Sequence, residues 1–570
     1  MTRKGLDPAV PDLRFVRSDG SSFPAAIAGA RTPAWPLLAV LGYTACRIVL
    51  LAAIAPFPAG ISHDSAYILT AARNVLAGRG LVSDAHWLVF LSPSQLPMAF
   101  HNSNPLYPLA IALVSAATGR SVETAGFLIS ALASGLSAAA LVLLLAHFGI
   151  RDWRAAALTA LCVLFPPVFA SSTRVLPDAL WLAFALWFVV FAIRATRPRD
   201  YAIAGAFLGL AWLTRSTAIL LVPALAVLLI ARLRAKPALR ALALIGSTAS
   251  LVASPWLLHT WRVWGNPLRS DAPYYLLQNY LAGGHGNSVE RFWHSISLPP
   301  SLLDILRTDA VGLLLHWIDG LPCVWRALAD GWGLGSPQLA VVLGIAALAV
   351  LAIRPHGFRS PYTLAAATYV ATLVLVFAGR SQHLGLEIRL VILASTVLAA
   401  AIGWLALDGL RSTPRAHKRS FASLVLLAAA ATWIVGYVPA LSAAWKDGYG
   451  QNEELKRYFE LSRAVADTLG HRSAVVVGSK PYFYTWATGV PSLSIPDAGE
   501  EHLEHYMERY RAQAILLTKR ELEFWRPSWQ DVNDLPAFLR LVARPGGAYL
   551  FELREARDLV RGPASTPNSR

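Results

Sequence analysis

With 570 residues, 55% of them apolar and only 15% charged, the chain has a mean hydropathy of +0.47, too oily for a soluble protein of that length. Lys and Arg outnumber Asp and Glu by 50 to 34, a balance that raises nucleic-acid binding, but the cations sit in short connections between apolar runs, which argues against it. Cys46 and Cys162 lie inside apolar runs and Cys323 in a connecting region, so neither a disulfide framework nor a zinc spacing is visible.

Residues 1–33 carry Arg3, Lys4, Arg14, Arg17 and Arg31 without the apolar core of a cleavable leader, and read as a cytoplasmic tail. Apolar stretches then recur near residues 34–56, 122–147, 155–172, 178–193, 201–214, 216–231, 240–258, 338–353, 361–378, 388–407 and 421–443. Their lengths suit a hydrocarbon layer of about 30 Å, so about eleven crossings are expected. On that count the basic connections, among them Arg194, Arg197 and Arg199, then Arg232, Arg234, Lys236 and Arg240, all face the cytoplasm. The run 105–118 is too short to span and is expected along the membrane surface.

The expected fold class is a polytopic α-helical membrane protein with a transmembrane part over 34–445 and outer loops 57–121 and 259–337. A small extracytoplasmic α/β domain over 446–570, ending in a disordered tail, completes it. In that domain Glu453, Glu454, Lys456 and Arg457 open a helix with an apolar stripe. Strand-like runs at 474–477, 514–517 and 548–551 alternate with a helix near 500–512. An odd number of crossings from a cytoplasmic N-terminus places this domain outside the inner membrane.

Chemistry-bearing residues concentrate in the first outer segment. His63-Asp64-Ser65-Ala66-Tyr67 opens a helix-like stretch that ends at Gly78-Arg79-Gly80. Taken alone, Asp64 is an ordinary first-turn aspartate favoured by the helix dipole. The sequence His101-Asn-Ser-Asn-Pro-Leu-Tyr107-Pro returns the chain to the membrane and reads as a turn with an interfacial aromatic. Arg174 and Asp178, one turn apart, are expected to pair with each other. Arg215 interrupts apolar sequence at a helix end, where position alone lets it snorkel to the lipid head groups. Tyr274, Tyr275, Trp293, Trp317, Trp325 and Trp332 suit an interfacial belt or a sugar-stacking surface.

Together these pieces resemble the GT-C glycosyltransferases that use polyprenyl-phosphate sugars, near the protein O-mannosyltransferase and lipid A aminoarabinose transferase type. Asp64-Ser65-Ala66-Tyr67 with Gly78-Arg79-Gly80-Leu81 looks like the acidic motif of the first outer loop, and Asn104-Pro105-Leu106-Tyr107-Pro108 like the family's return to the membrane. Val175-Leu176-Pro177-Asp178 resembles an acidic turn, Gly205 to Arg215 the Gly-x-x-x-Gly-Leu-Ala-x-Leu-x-Arg helix end, and Glu387-Ile388-Arg389-Leu390 a late Arg-Tyr pair with Leu in place of Tyr.

The resemblance implies an inverting transferase in which Asp64 deprotonates the acceptor. Arg215 and Arg389 would meet the donor phosphate, with His101, Tyr107 and Arg262 in the same donor and substrate site. The implied partners are a polyprenyl-phosphate-linked sugar, an acceptor lipid, polysaccharide or protein, and membrane lipids. Where some members have a second acid, Ser65 follows Asp64. No cofactor is certain, and a divalent cation stays open. A transporter or lipid flippase, or a non-catalytic envelope scaffold, is the alternative, although neither inverted repeats nor a Walker motif is visible.

Overall fold

The computed structural model describes residues 40–49, 61–91, 95–101, 103–148, 150, 152–283, 287–331, 360–378, 475–544 and 548–554, with 438, 439, 442, 462 and 467 as isolated positions. The tail 1–33, the spans near 338–353 and 388–407, most of 421–443, the helix opening at Glu453, Arg389 and the tail after 554 lie outside the described residues.

The chain begins with α1 (Val40–Val49). Helix α2 (His63–Leu76) and strands β1 (Val82–Ser83), β2 (Ala85–His86) and β3 (Met98–Ala99) follow. Next come α3 (Leu106–Thr118), α4 (Val122–His147), α5 (Asp152–Val163), α6 (Pro166–Ser172), α7 (Asp178–Arg194) and α8 (Pro198–Thr214). The bundle continues through α9 (Leu221–Arg232), α10 (Ala235–Trp264), α11 (Ala272–Leu281), α12 (Asn287–His294), α13 (Leu302–Thr308), α14 (Ala310–Gly331) and α15 (Pro361–Ala378).

Among the described residues, α4, α10 and α15 are long and apolar enough to cross a membrane, fewer than the expected count. One cause is local. The apolar run 155–172 is two helices, because Pro166 pushes Phe165 out of the helical region, to φ −55° and ψ 128°. The 13 residues of α3 rise only about 20 Å. Helix α14 falls within the expected second outer loop yet packs along α15, where Trp317 Nε1 donates to the Leu375 carbonyl at 2.6 Å. His316, Asp319 and Pro322 dilute its hydropathy, while Leu313 and Val324 are buried.

Polar contacts orient the bundle. At one end, Arg232 donates to the Ile193 carbonyl at 2.6 Å and lies over the Tyr362 ring, whose hydroxyl is 3.4 Å from His147. At the other end lie Glu123, Asp178, Arg215 and Trp264, together with α2 and α3. The basic connections around 194–199 and 232–240 therefore sit at the end away from Asp64.

Two glycines bring the backbones of α8 and α10 close together. A Cβ on Gly205 would come within 2.5 Å of the Ile245 carbonyl oxygen, and one on Gly209 within 2.8 Å of that of Ala249. In lipid, where apolar side chains gain nothing by leaving solvent, such close backbone approach through small residues is a main source of association.

The C-terminal domain comprises β4 (Val475–Gly478), α16 (Pro481–Thr488), β5 (Ser492–Ser494), α17 (Glu500–Tyr510), β6 (Ala512–Thr518), α18 (Lys519–Trp525), β7 (Leu539–Ala543) and β8 (Ala548–Leu553). The sheet order is β2-β5-β4-β6-β8-β7, parallel from β2 to β6 and antiparallel beyond. The three predicted strands are present. Strands β5 and β7 were not predicted, and neither was the contribution of β2 from the first outer segment. Ala85 pairs with Ser492 and His86 with Leu493. Since strands hydrogen-bonded in one sheet cannot lie across a bilayer, the first outer segment and the C-terminal domain share a side.

Adding a methyl at the α8–α10 contact should cost about 1–3 kcal/mol. Gly209→Ala should therefore unfold in detergent at a clearly lower temperature than wild type, whereas Gly246→Ala, which meets nothing within 4 Å, should not. Equal thermal shifts for the two would show that the close approach contributes nothing.

Candidate functional site

Helix α2 starts with a capping box: Ser65 N donates to Ser62 Oγ at 3.2 Å and Ser62 N to Ser65 Oγ at 3.0 Å. The end of the helix is thus closed by two serines, with Asp64 half-buried beside them in the first turn. The neighbouring His63 ring lies 5.2 Å from Trp87, 4.5 Å from Tyr482 and 5.5 Å from Phe483. One turn on, Tyr67 stacks on Phe100 at 4.7 Å and packs on Tyr482 at 4.6 Å. The floor beneath Asp64 is therefore built jointly by the first outer segment and α16.

The segment 101–104 ties this floor to the bundle. His101 N donates to the Tyr67 hydroxyl at 3.1 Å, and Asn104 Nδ2 donates to the Trp212 carbonyl. The segment 101–104 therefore links the first turns of α2 to the last turn of α8. Arg215 follows that last turn in an extended conformation. Its Nη1 donates to Asp178 Oδ1, and Asp178 is 1% exposed against 20% for the arginine side chain. Asp178 thus pairs with Arg215, 37 residues away, a partner that local spacing does not predict. Val175 and Ala179, flanking Asp178, share one apolar cluster with Ala66, Tyr67, Tyr482 and Trp486.

The remaining predicted residues are dispersed. His101 Nδ1 lies 2.6 Å from Asp271 Oδ2, both side chains nearly buried. Tyr107 is fully buried, and its hydroxyl bonds the Gly126 carbonyl at 3.1 Å and Ser130 Oγ at 2.9 Å, a contact that packs α3 on α4. Arg262 is exposed on the last turn of α10. Arg389 is outside the described residues. Among the aromatics, Trp293 stacks on Trp87 at 5.5 Å and meets Tyr275 at 4.8 Å, forming a packed cluster with Phe90 and Tyr274.

Sequence reading missed Asp271, which joins His101 across 170 residues, and the group Arg73, Glu123 and Trp486, in which Glu123 Oε1 accepts from both partners. It also missed His86, completely buried on β2 with its ring 5.5 Å from that of His101. Burial, and after it the charge of His101, pushes the His86 imidazole down to about 3.

Residues 102–259 match the family model described as dolichyl-phosphate-mannose-protein mannosyltransferase. That stretch holds Tyr107, Asp178 and Arg215 but ends short of Arg262 and begins after Asp64. The fold is similar to that of ArnT from Cupriavidus metallidurans, solved bound to undecaprenyl phosphate, with TM-score 0.51 and 14% identity over 91% of this chain and 97% of that one. It is also similar to the archaeal oligosaccharyltransferase AglB from Archaeoglobus fulgidus, solved with an inhibitory peptide and a dolichol-phosphate. There the TM-score is 0.54 and the identity 11%, over 91% of this chain and 74% of the other. No curated protein matches the sequence. The chain is thus similar to that family over residues 102–259, and its fold, with a mixed sheet in its C-terminal part, is similar to those of these two structures.

A histidine held neutral by burial makes stability sensitive to acid. Between its ordinary value of 6.5 and about 3, the unfolded chain takes up a proton that the folded chain refuses, so stability is full above this window and falls as pH drops through it. His86→Leu should flatten the decline in melting temperature between pH 7 and pH 4. An unchanged acid limb would show that His86 is not a buried neutral group.

Proposed function

We propose that this chain is an inverting membrane glycosyltransferase that takes a sugar from a polyprenyl-phosphate donor, with Asp64 as the base that deprotonates the acceptor. The observation that carries this reading is the short bridge from Tyr67 through His101 and Asn104 to Trp212. It links the helix that carries the Asp64 carboxylate to the end of α8 from which Arg215 follows. As the acceptor oxygen or nitrogen attacks the anomeric carbon, its proton passes to the Asp64 carboxylate. The glycosidic C–O bond breaks, and its electron pair leaves with the lipid phosphate, whose charge Arg215 offsets.

Asp178 has a defined part in this scheme. It accepts from Nη1 of Arg215, which orients the guanidinium and leaves its other N–H groups to form a fork to phosphate oxygens. A lipid-linked donor suits this location, since the prenyl tail stays in the bilayer while the sugar lies at the Asp64 end. We place that end outside the inner membrane, because the basic connections occupy the opposite end. The acceptor belongs to the envelope, as a lipid, polysaccharide or protein.

The assay uses full-length protein in nanodiscs, a panel of polyprenyl-phosphate hexoses and pentoses as donors, and an envelope fraction as acceptor. Mass spectrometry reads the release of polyprenyl phosphate. Asp64→Asn should fold and lose at least about 100-fold in rate, the usual scale for general-base catalysis; full activity would exclude the base assignment. Arg215→Lys should lose several-fold or more in donor use, because an ammonium keeps charge but not the fork. Wild-type kinetics in that variant would remove the phosphate role.

Topology has a separate check. A periplasmically active reporter fused after Leu553 should be active, and cytoplasmic activity of a reporter there would reverse the orientation.

A further inference from the structure

Building on the proposed role of Asp64, we infer that the C-terminal domain is part of the catalytic apparatus, with Arg73, Glu123 and Trp486 as positioning residues for the helix that carries the base. The three side chains come from three segments: the last turn of α2, the first turn of α4, and α16 of the C-terminal domain. Glu123 Oε1 accepts from Arg73 Nη2 at 2.5 Å and from Trp486 Nε1 at 2.9 Å, and Arg73 Nη1 donates to the Trp486 carbonyl at 2.6 Å. Each member is thereby bonded to both of the others. Trp486 is 1% exposed, and the Glu123 side chain 10%.

Helix α16 holds α2 at both ends. Trp486 closes the polar triangle at Arg73, nine residues and about 14 Å along the axis from Asp64. One turn earlier, Tyr482 packs on His63 and Tyr67 at the Asp64 end. Apolar packing alone tolerates small slides. A nearly buried carboxylate is different, even though the Arg73 side chain keeps 40% of its surface exposed, because it is favourable only with its hydrogen bonds made in good geometry, and a buried indole N–H likewise requires its acceptor. The triangle therefore selects one attitude of α2 against the membrane helix α4. A base displaced by about 1 Å can cost on the order of 100-fold in rate, so a clamp at the far end of its helix acts on catalysis without touching substrate.

Two variants in the nanodisc assay, run with whichever donor of the panel wild type turns over, test this. Glu123→Gln weakens the hold on Arg73, and Trp486→Phe keeps the buried ring and the ion pair but removes the indole N–H. The expected result is a fall in kcat of about tenfold for Glu123→Gln and several-fold for Trp486→Phe. The KM for donor should stay within about twofold, and the melting temperature should be close to wild type. Combined with Asp64→Asn, neither change should lower the residual rate further, because each acts through the base.

Unchanged kcat, a rise in KM alone, or an equal further loss in the Asp64→Asn background would overturn the inference. If Glu123→Gln does not fold, Trp486→Phe decides, and unfolding of both would make the triangle structural only. Full activity of Asp64→Asn would instead defeat the parent assignment of the base, a separate outcome.

Discussion

The end of the molecule that holds Asp64 depends on a short stretch of shared sheet. Ser492 N donates to the Asp84 carbonyl at 3.0 Å, and β2 lies in parallel register on β5. A two-residue strand has little stability of its own, yet its backbone groups are buried and must be paired. Asp84 is further held by Asn74 Nδ2 at 2.9 Å, from α2. The loop cannot leave the C-terminal domain without exposing or orphaning these groups, so helix, loop and domain form one body around Asp64. The second outer segment joins the same body: Asp497 N donates to the His294 carbonyl at 2.7 Å.

Charge is handled in this body by pairing across long sequence separations. Arg215 with Asp178 and Arg73 with Glu123 each set a nearly buried carboxylate against an arginine from another element, and the buried His101 ring sits on Asp271. Such pairs add little net stability over an apolar filling of the same volume, but removing one partner strands the other in low dielectric. Their effect is to select arrangement. The contacts beneath Asp64 are mostly aromatic and apolar, and would by themselves allow several registers of α2 on its neighbours.

The membrane part follows another rule. Within lipid the association of helices rests on how closely their backbones approach. Gly205 and Gly209, one turn apart on α8, let α10 come against them, and that contact sets where α8 ends relative to α10. Arg215 emerges from the end so placed. The glycine motif and the arginine that closes it thus act together, the glycines by setting a distance and the arginine by presenting charge there.

Much of this was legible in the sequence. Apolar runs separated by basic connections determined a helical membrane protein, because bilayer thickness converts directly into run length. Alternating strand-like and helical periods determined a small α/β domain, and the spacing around Asp64 and Gly205 marked the two segments of the proposed site. Only the tertiary structure decided which charges pair. Local spacing offers Asp178 only its neighbour Arg174, and the fold adds Arg215, because α7 and α8 lie antiparallel and bring their ends together. Nothing in the short sequence Ala85-His86 marks it as a sheet edge. A two-residue strand carries no period, and its partner lies about 400 residues away, where only the assembled fold can supply the missing hydrogen bonds.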